Sequence, residues 1–428
     1  MTAREERGGV AAGGETAVGG GGSVVGGDAV AGALRDAVAR YVAANPASAA
    51  RAERAAAHLP GANTRSVLHF DPFPLAFARA EGAHLYSLDG RRYTDFLGEF
   101  TAGLYGHSHP VILDAVRGAL DRGLNYGGSS ELEGELAELL CARFPALELV
   151  RFTNSGTEAN LMALALALHH TGRREVLVFK GGYHGGVLAF GGGEPSPVTV
   201  PHAWVLGDYD DVEGTRALIR AHRFGAILVE PMLGSGGCRP ASRAFLQMLR
   251  EEATKAGAML IFDEVMTSRL GPRDTPGYDG VVPDLMTVGK YLAGGMSFGA
   301  FGGRRDLMAA YDPTRPGALF HAGTFNNNVL SMSAGIAGLT QVLTDDTLRD
   351  LNARGDRLRA ALDRVVTTTG RGSLMTMHPA TDDLKQLLFF ELLDAGYWIA
   401  ARGMIALSLA ITDEDCEAFA ATVEKILA

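Results

Sequence analysis

The spacing of apolar residues changes character along this chain. From about residue 28 to 58 they recur at helical intervals, and Pro60-Gly61 stops that pattern. Short apolar stretches at 76–77 and 85–88 predict strands around a turn at Asp89-Gly90. From about residue 130, unbroken apolar runs alternate with helical stretches. The runs at 149–152, 175–179, 226–229, 258–262 and 285–288 predict strands buried on both faces. The stretches at 159–170, 212–222 and 244–256 predict the helices between them. Such alternation builds a parallel α/β sheet, whose ligands bind beyond the carboxyl ends of the strands.

A long helix begins within 328–344, and charged helical segments continue to about residue 366. The remainder predicts a smaller α+β unit. It has a strand at 373–377, a helix at 381–394, strands near 397–400 and 405–409, and a closing helix from Asp413. The chain therefore divides into a glycine- and alanine-rich tail (1–30), an N-terminal segment contributing to the small domain (31–100), a large ligand-binding domain (101–344) and a C-terminal small domain (345–428). Eleven glycines between Gly8 and Gly32 give the tail the composition of a flexible linker. Acidic residues beside its basic ones, and no apolar block behind them, make it a poor signal peptide.

Composition narrows the function. With 47% apolar and 21% charged residues, 428 residues can bury a large core, which excludes disorder as the main state. No run approaches the roughly 18 apolar residues of a membrane span. A net charge of −10 without a Lys/Arg cluster argues against nucleic acid and anionic membranes as partners. Cys141, Cys238 and Cys416 have no C-x-x-C spacing and read as reduced thiols of a cytoplasmic protein. His107 and His109 lack further ligands at metal-like spacing, and no G-x-S-x-G elbow is present.

The strand ends carry the candidate chemistry. After 149–152 comes Thr153-Asn154-Ser155-Gly156-Thr157-Glu158 and then a helix. Ser155, Gly156 and Thr157 there can serve as a simple N-cap, or can hold an anion with free N–H groups and hydroxyls. After 175–179 comes a glycine-rich loop carrying Tyr183, without dinucleotide spacing. The run 226–229 ends in Glu230, and 258–262 ends in Asp263. The run 285–288 ends in Gly289-Lys290. A lysine at the lip of a buried strand either snorkels to solvent or has a lowered pKa and is nucleophilic. Together these parts suit a planar phosphorylated aldehyde: a phosphate cup, a stacking ring, a carboxylate for a ring nitrogen and a lysine for the carbonyl. Pyridoxal 5'-phosphate is such a molecule.

The segments Phe152–Asn160, Gly182–Gly185, Phe262–Thr267 and Gly289–Tyr291 resemble the class III aminotransferases, enzymes of pyridoxal-phosphate fold type I, the aspartate aminotransferase-like fold. The resemblance runs from about residue 40 to the C-terminus. Residues 60–67 (PGANTRSV), 267–269 (TSR) and 323–328 (GTFNNN) resemble the β-phenylalanine (aromatic β-amino acid) aminotransferases more narrowly. Glutamate-1-semialdehyde 2,1-aminomutases are similar too, but usually carry Ser-Pro-Val-Arg where this chain has Thr64-Arg65-Ser66-Val67.

The resemblance implies a large mixed, mostly parallel sheet domain with a smaller α+β domain, in a homodimer with shared active sites. It makes Lys290 the residue that bonds the cofactor's aldehyde as an imine and later moves the proton. Asp263 pairs with the pyridine nitrogen, and Ser155, Gly156 and Thr157 hold the phosphate. Thr324 reaches the phosphate from the neighbouring subunit. Tyr183 stacks on the ring, and Glu230 lies near its hydroxyl. Arg65 takes the carboxylate of a β-amino acid donor, and Arg402 that of an α-keto acid acceptor such as 2-oxoglutarate or pyruvate. The implied reaction is transamination, with an aminomutase-like isomerisation as the alternative. Gly403 reads as a flexible neighbour that lets Arg402 switch. Compared with the family, only Thr367–Thr369 stand where a strand is usual, so the small domain reads as trimmed.

Overall fold

The computed structural model describes residues 27–271 and 278–428. Its centre is a seven-stranded sheet in the order Leu149–Thr153, Gly299–Gly303, Leu285–Gly289, Met259–Asp263, Phe224–Val229, Glu175–Phe179, Ala203–Gly207. Gly299–Gly303 runs antiparallel to both neighbours, and the remaining pairings are parallel. Phe224–Val229 and Leu285–Gly289 are buried along their whole length. Two-sided cover is the reason these strands are written as unbroken apolar runs.

Two strands of this sheet escaped the sequence pattern. Ala203–Gly207 is a half-exposed edge strand. Gly299–Gly303 is mostly glycine, a residue depleted from strands. Packing explains its composition. A Cβ on Gly299 would lie 2.1 Å from the Ser155 carbonyl oxygen, and one on Gly302 2.3 Å from that of Leu149.

Helix ends are set by ordinary capping. Ser155 caps Gly156–Thr171, its Oγ accepting from the Glu158 N–H at 3.2 Å. Ser242 caps Arg243–Ala256, which buries Phe245, Leu246, Met248 and Leu249 on one face. The helical pattern at 28–58 is two helices, Gly27–Ala44 and Pro46–Ala56, because Pro46 has no N–H to continue the first. The expected tail lies outside the described residues up to residue 26. Residues 27–30, grouped with it from composition, open the first helix.

The N-terminal segment and the C-terminal residues pack together. The Tyr41 ring lies 5.3 Å from that of Phe390, and Phe70 lies 4.9 Å from Phe389 on the helix Asp382–Asp394. A second sheet joins Phe77–Glu81, His84–Ser87, Arg92–Asp95 and Tyr397–Trp398, the last parallel to Arg92–Asp95. The Asp89-Gly90 turn thus links the second and third of these strands, and Arg92–Asp95 was not expected. A third sheet pairs Thr367–Arg371 with Leu374–His378, and that strand with Met404–Ala406. This corrects the trimmed reading: the three β-branched threonines themselves form the strand thought to be missing.

Candidate active site

The sheet register sets the site. Asp263 pairs across to Thr287, so Asp263 and Lys290 project from neighbouring strand ends. Glu230 follows the next strand over, and Ser155 follows Leu149–Thr153 on the far side of the glycine strand. Gly299 pairs with Thr153 and Gly289, which draws the Ser155 turn towards the lysine.

Asp263 is buried and fixed by a network. Its Oδ2 accepts from Asn160 Nδ2 at 2.8 Å and faces His184 Nδ1 at 2.9 Å. A ring nitrogen facing a carboxylate carries the proton. Its Oδ1 accepts from the Val265 N–H at 3.1 Å. Thr287 Oγ1 donates to Asn160 Oδ1 at 2.7 Å, and Asn160 Nδ2 also reaches the His184 carbonyl at 3.0 Å. Asn160 and His184 stood inside the family motifs without a role; Thr287 had no signal beyond its place in an apolar run.

Lys290 sits in the left-handed backbone region (φ 58°) and donates from Nζ to the Phe100 carbonyl at 2.5 Å. Burial pushes its pKa down to about 8, although Asp263 and Glu230 pull the other way. Glu230 is buried, and its pKa is raised by that burial against the pull of His184. Both its oxygens are engaged, Oε1 by the Tyr183 N–H at 2.9 Å and Oε2 by the Gly234 N–H at 2.9 Å. Glu230 therefore braces the loop that carries Tyr183, whose side chain is left exposed. Gly185 (φ 126°) touches the other side of the cup: a Cβ there would lie 2.1 Å from Thr157 Oγ1.

Arg65 and Arg402 come to one aromatic ring. The Phe100 centroid lies 5.1 Å from the Arg65 guanidinium carbon and 5.3 Å from that of Arg402. Arg65 also pairs with Glu99. Arg402 Nη2 contacts the Met404 sulfur at 3.1 Å, and its buried Nε has no hydrogen-bond partner. Burial lowers the Arg402 pKa. Gly403 is no hinge: its φ is 90°, its carbonyl accepts from the Met377 N–H at 3.0 Å, and a Cβ would meet the Met377 carbonyl oxygen at 2.5 Å. The backbone beside Arg402 is pinned, so any switching belongs to its side chain. Thr324 is exposed, in a loop tethered to the Ser155 turn by Asn154 Nδ2 donating to Asn326 Oδ1 at 2.9 Å. His107, one of the paired histidines, bonds Asp95 Oδ2 through Nε2 at 2.9 Å.

The segment between Gly98 and Thr101 was missed from sequence. Glu99, Phe100 and Thr101 have φ of 48°, 51° and 80°, a costly run for non-glycine residues. Arg269, fully buried, holds it by donating from Nη1 to the Thr101 carbonyl at 3.5 Å while Nη2 reaches the Leu407 carbonyl.

The residues present fit pyridoxal phosphate. A helix N-terminus with two hydroxyls faces a turn kept free of side chains by Gly185 and Gly299. A buried carboxylate, a desolvated amine and an orphaned guanidinium nitrogen complete the donor set for a phosphate, a ring nitrogen, an aldehyde and a substrate carboxylate.

Comparisons with known proteins point the same way. The sequence profile of the family described as Aminotransferase class-III matches residues 68–191 and 212–427. The β-phenylalanine transaminase of Variovorax paradoxus is 51% identical over 417 residues, covering 92% of this chain and 96% of that protein. The crystal structure of the β-phenylalanine aminotransferase of that organism superposes with a TM-score of 0.90, over 92% of this chain and 97% of the other. A glutamate-1-semialdehyde 2,1-aminomutase of Rhodopirellula baltica is 38% identical over 347 residues, 77% of this chain and 79% of that protein.

Proposed function

The chain belongs to the class III aminotransferases, and from that premise we propose that it transfers the amino group of an aromatic β-amino acid to an α-keto acid. The observation that carries this reading is the pair of guanidiniums that both approach the ring of Phe100, whose carbonyl accepts from the Lys290 amine. In a β-amino acid the carboxylate sits one carbon farther from the amine than in an α-amino or α-keto acid. One arginine cannot place both carboxylates at the same distance from Lys290, and two can.

Bound in this site, pyridoxal phosphate supplies an aldehyde that takes up the amino group and a cationic ring that withdraws electrons from the carbon losing its proton. Ser155, Gly156 and Thr157 bind the phosphate through the helix N-terminus, with Thr324 of a second copy closing the cup. Asp263, held by Asn160 and His184, keeps the ring nitrogen protonated, since a nearby opposite charge favours the cation. Glu230 holds Tyr183 where its ring can cover the cofactor face. Lys290 Nζ takes the proton from the amine-bearing carbon of the donor and returns it on the cofactor side. With a pKa near 8, about a tenth of such amines are already neutral at pH 7. Arg65 orients the donor, which leaves as a β-keto acid, and Arg402 orients the acceptor.

The pairing of Thr324 with a second subunit makes the enzyme a homodimer in this reading. Three free, unpaired cysteines support a reducing, cytoplasmic setting. Among the described residues no helix is long and apolar enough to cross a membrane.

The test is to supply 3-amino-3-phenylpropanoate with 2-oxoglutarate or pyruvate and measure glutamate or alanine. Product formation that requires the keto acid supports transamination. Isomerisation of one substrate without a keto acid would instead support the aminomutase reading, which the Rhodopirellula relative keeps in view. Reaction with α-amino acids alone would remove the role given to Arg65.

A further inference from the structure

We propose that Glu99 is a built-in carboxylate that occupies Arg65 between turnovers and must be displaced by the carboxylate of the incoming donor, which makes it a specificity-determining residue. The inference rests on the reading of Arg65 as the donor's carboxylate site.

Glu99 is not a loose surface acid that happens to meet an arginine. It stands in four consecutive left-handed residues, Gly98 to Thr101, of which only the first is glycine. Such a run persists only where its surroundings over-determine it, and here they do. Asp95 Oδ1 accepts from the N–H groups of Leu97 and Gly98 at 2.8 and 3.0 Å. Asp95 is itself held by His107. Gly98 lies so close to the small domain that a Cβ would sit 2.6 Å from the Ala406 carbonyl oxygen. Arg269 holds the far end at Thr101. The next residue, Phe100, gives its carbonyl to Lys290 and its ring to both arginines. The same rigid turn therefore fixes the lysine, the ring and the carboxylate that meets Arg65.

The strength of the pair suits a competitor. Arg65 and Glu99 side chains are 45% and 55% exposed, so solvent screens their attraction and a substrate can exchange for it. Arg65 meets Glu99 through Nη1, one of the five in-plane donors of its guanidinium, so an incoming carboxylate that takes a two-pronged hold including Nη1 displaces Glu99. Donors without a carboxylate have nothing to exchange for Glu99. They leave the Arg65–Glu99 pair intact and gain nothing from the arginine.

The test uses the cofactor-loaded enzyme and the KM for 3-amino-3-phenylpropanoate, with 1-phenylethylamine as the carboxylate-free donor. In Glu99→Gln the ratio of KM for the β-amino acid to KM for the amine should fall about two- to fivefold, equivalent to roughly 0.4–1 kcal/mol. Glu99→Asp keeps the charge but shortens the reach, and it should lower the ratio too. A ratio unchanged in both variants overturns the proposal. A fall in Glu99→Gln alone reduces Glu99 to a general charge effect and also overturns it. A rise in both makes Glu99 a support for Arg65 and overturns it as well. Arg65→Gln separates the two levels: if that change leaves the β-amino acid KM untouched, the Arg65 reading fails, whatever Glu99 does.

Discussion

At the scale of single residues, the site is a set of groups whose properties are set by what surrounds them. Lys290 is desolvated, with its pKa lowered to about 8 from an ordinary 10.5. Below about 8 its amine is mostly protonated, and only the shrinking neutral fraction can attack. Capture of pyridoxal phosphate by the cofactor-free protein, followed by absorbance, should therefore quicken about tenfold per pH unit up to about 8 and then level off. The linked effect on stability has a definite sign. Between about 8 and 10.5 the folded protein holds fewer protons at this group than the unfolded chain, so stability rises with pH through that window; the unfavourable contribution of the buried charge is present in full below 8 and gone above 10.5. Lys290→Met should remove that contribution. Lys290→Ala should also cut turnover by more than the roughly 10²–10⁴-fold of general acid–base catalysis, because it removes the attachment as well. Borohydride followed by peptide mapping should place the reduced label on Lys290 in the native enzyme. The arginines should separate by substrate. Arg65→Gln should raise the KM for the β-amino acid, and Arg402→Gln that for 2-oxoglutarate, each by about 10- to 150-fold, from the roughly 1.5–3 kcal/mol of a charged hydrogen bond.

At the scale of elements, the glycine strand Gly299–Gly303 joins the strand that leads into the Ser155 turn to the strand that leads into Lys290. Gly299→Ala pushes a methyl group into the Ser155 carbonyl. It should destabilise the protein by about 1–3 kcal/mol and speed release of the cofactor, read by denaturant unfolding and by dialysis. The same strand shows what the sequence conveyed and what it withheld. Strands buried on both faces announce themselves as unbroken apolar runs, and each of the five so read lies within two residues of its place. A strand made of glycine carries no such signal, because its composition answers to the backbones it must approach. Asp263 is legible because it directly follows an apolar run, and Lys290 because only Gly289 separates it from one. Glu99 and Phe100 are not. Their importance comes from a left-handed backbone run and from contacts with residues 65, 290 and 402. The strand at Thr367–Arg371 is favoured by its three β-branched threonines but hidden by the shortness of the connection in which it lies.

At the scale of the whole molecule, the role proposed for the exposed Thr324 requires a second copy of the chain. Sedimentation should give a species of about 90 kDa, twice the 45.0 kDa chain. Thr324→Ala should loosen the cofactor without changing that mass. The architecture also ties the beginning of the chain to its end. Tyr397–Trp398 completes the sheet begun by Phe77–Glu81, beside Thr94 and Asp95, about 300 positions earlier. On a ribosome moving at about 5–20 residues per second, that sheet waits roughly 15–60 s with one edge open before its last strand is made. The edge left bare during that wait is the template on which nascent chains join one another. Yield in a foreign host should thus depend on translation speed and on chaperones that shield the N-terminal segment, and a chain stopped before Tyr397 should emerge as aggregate.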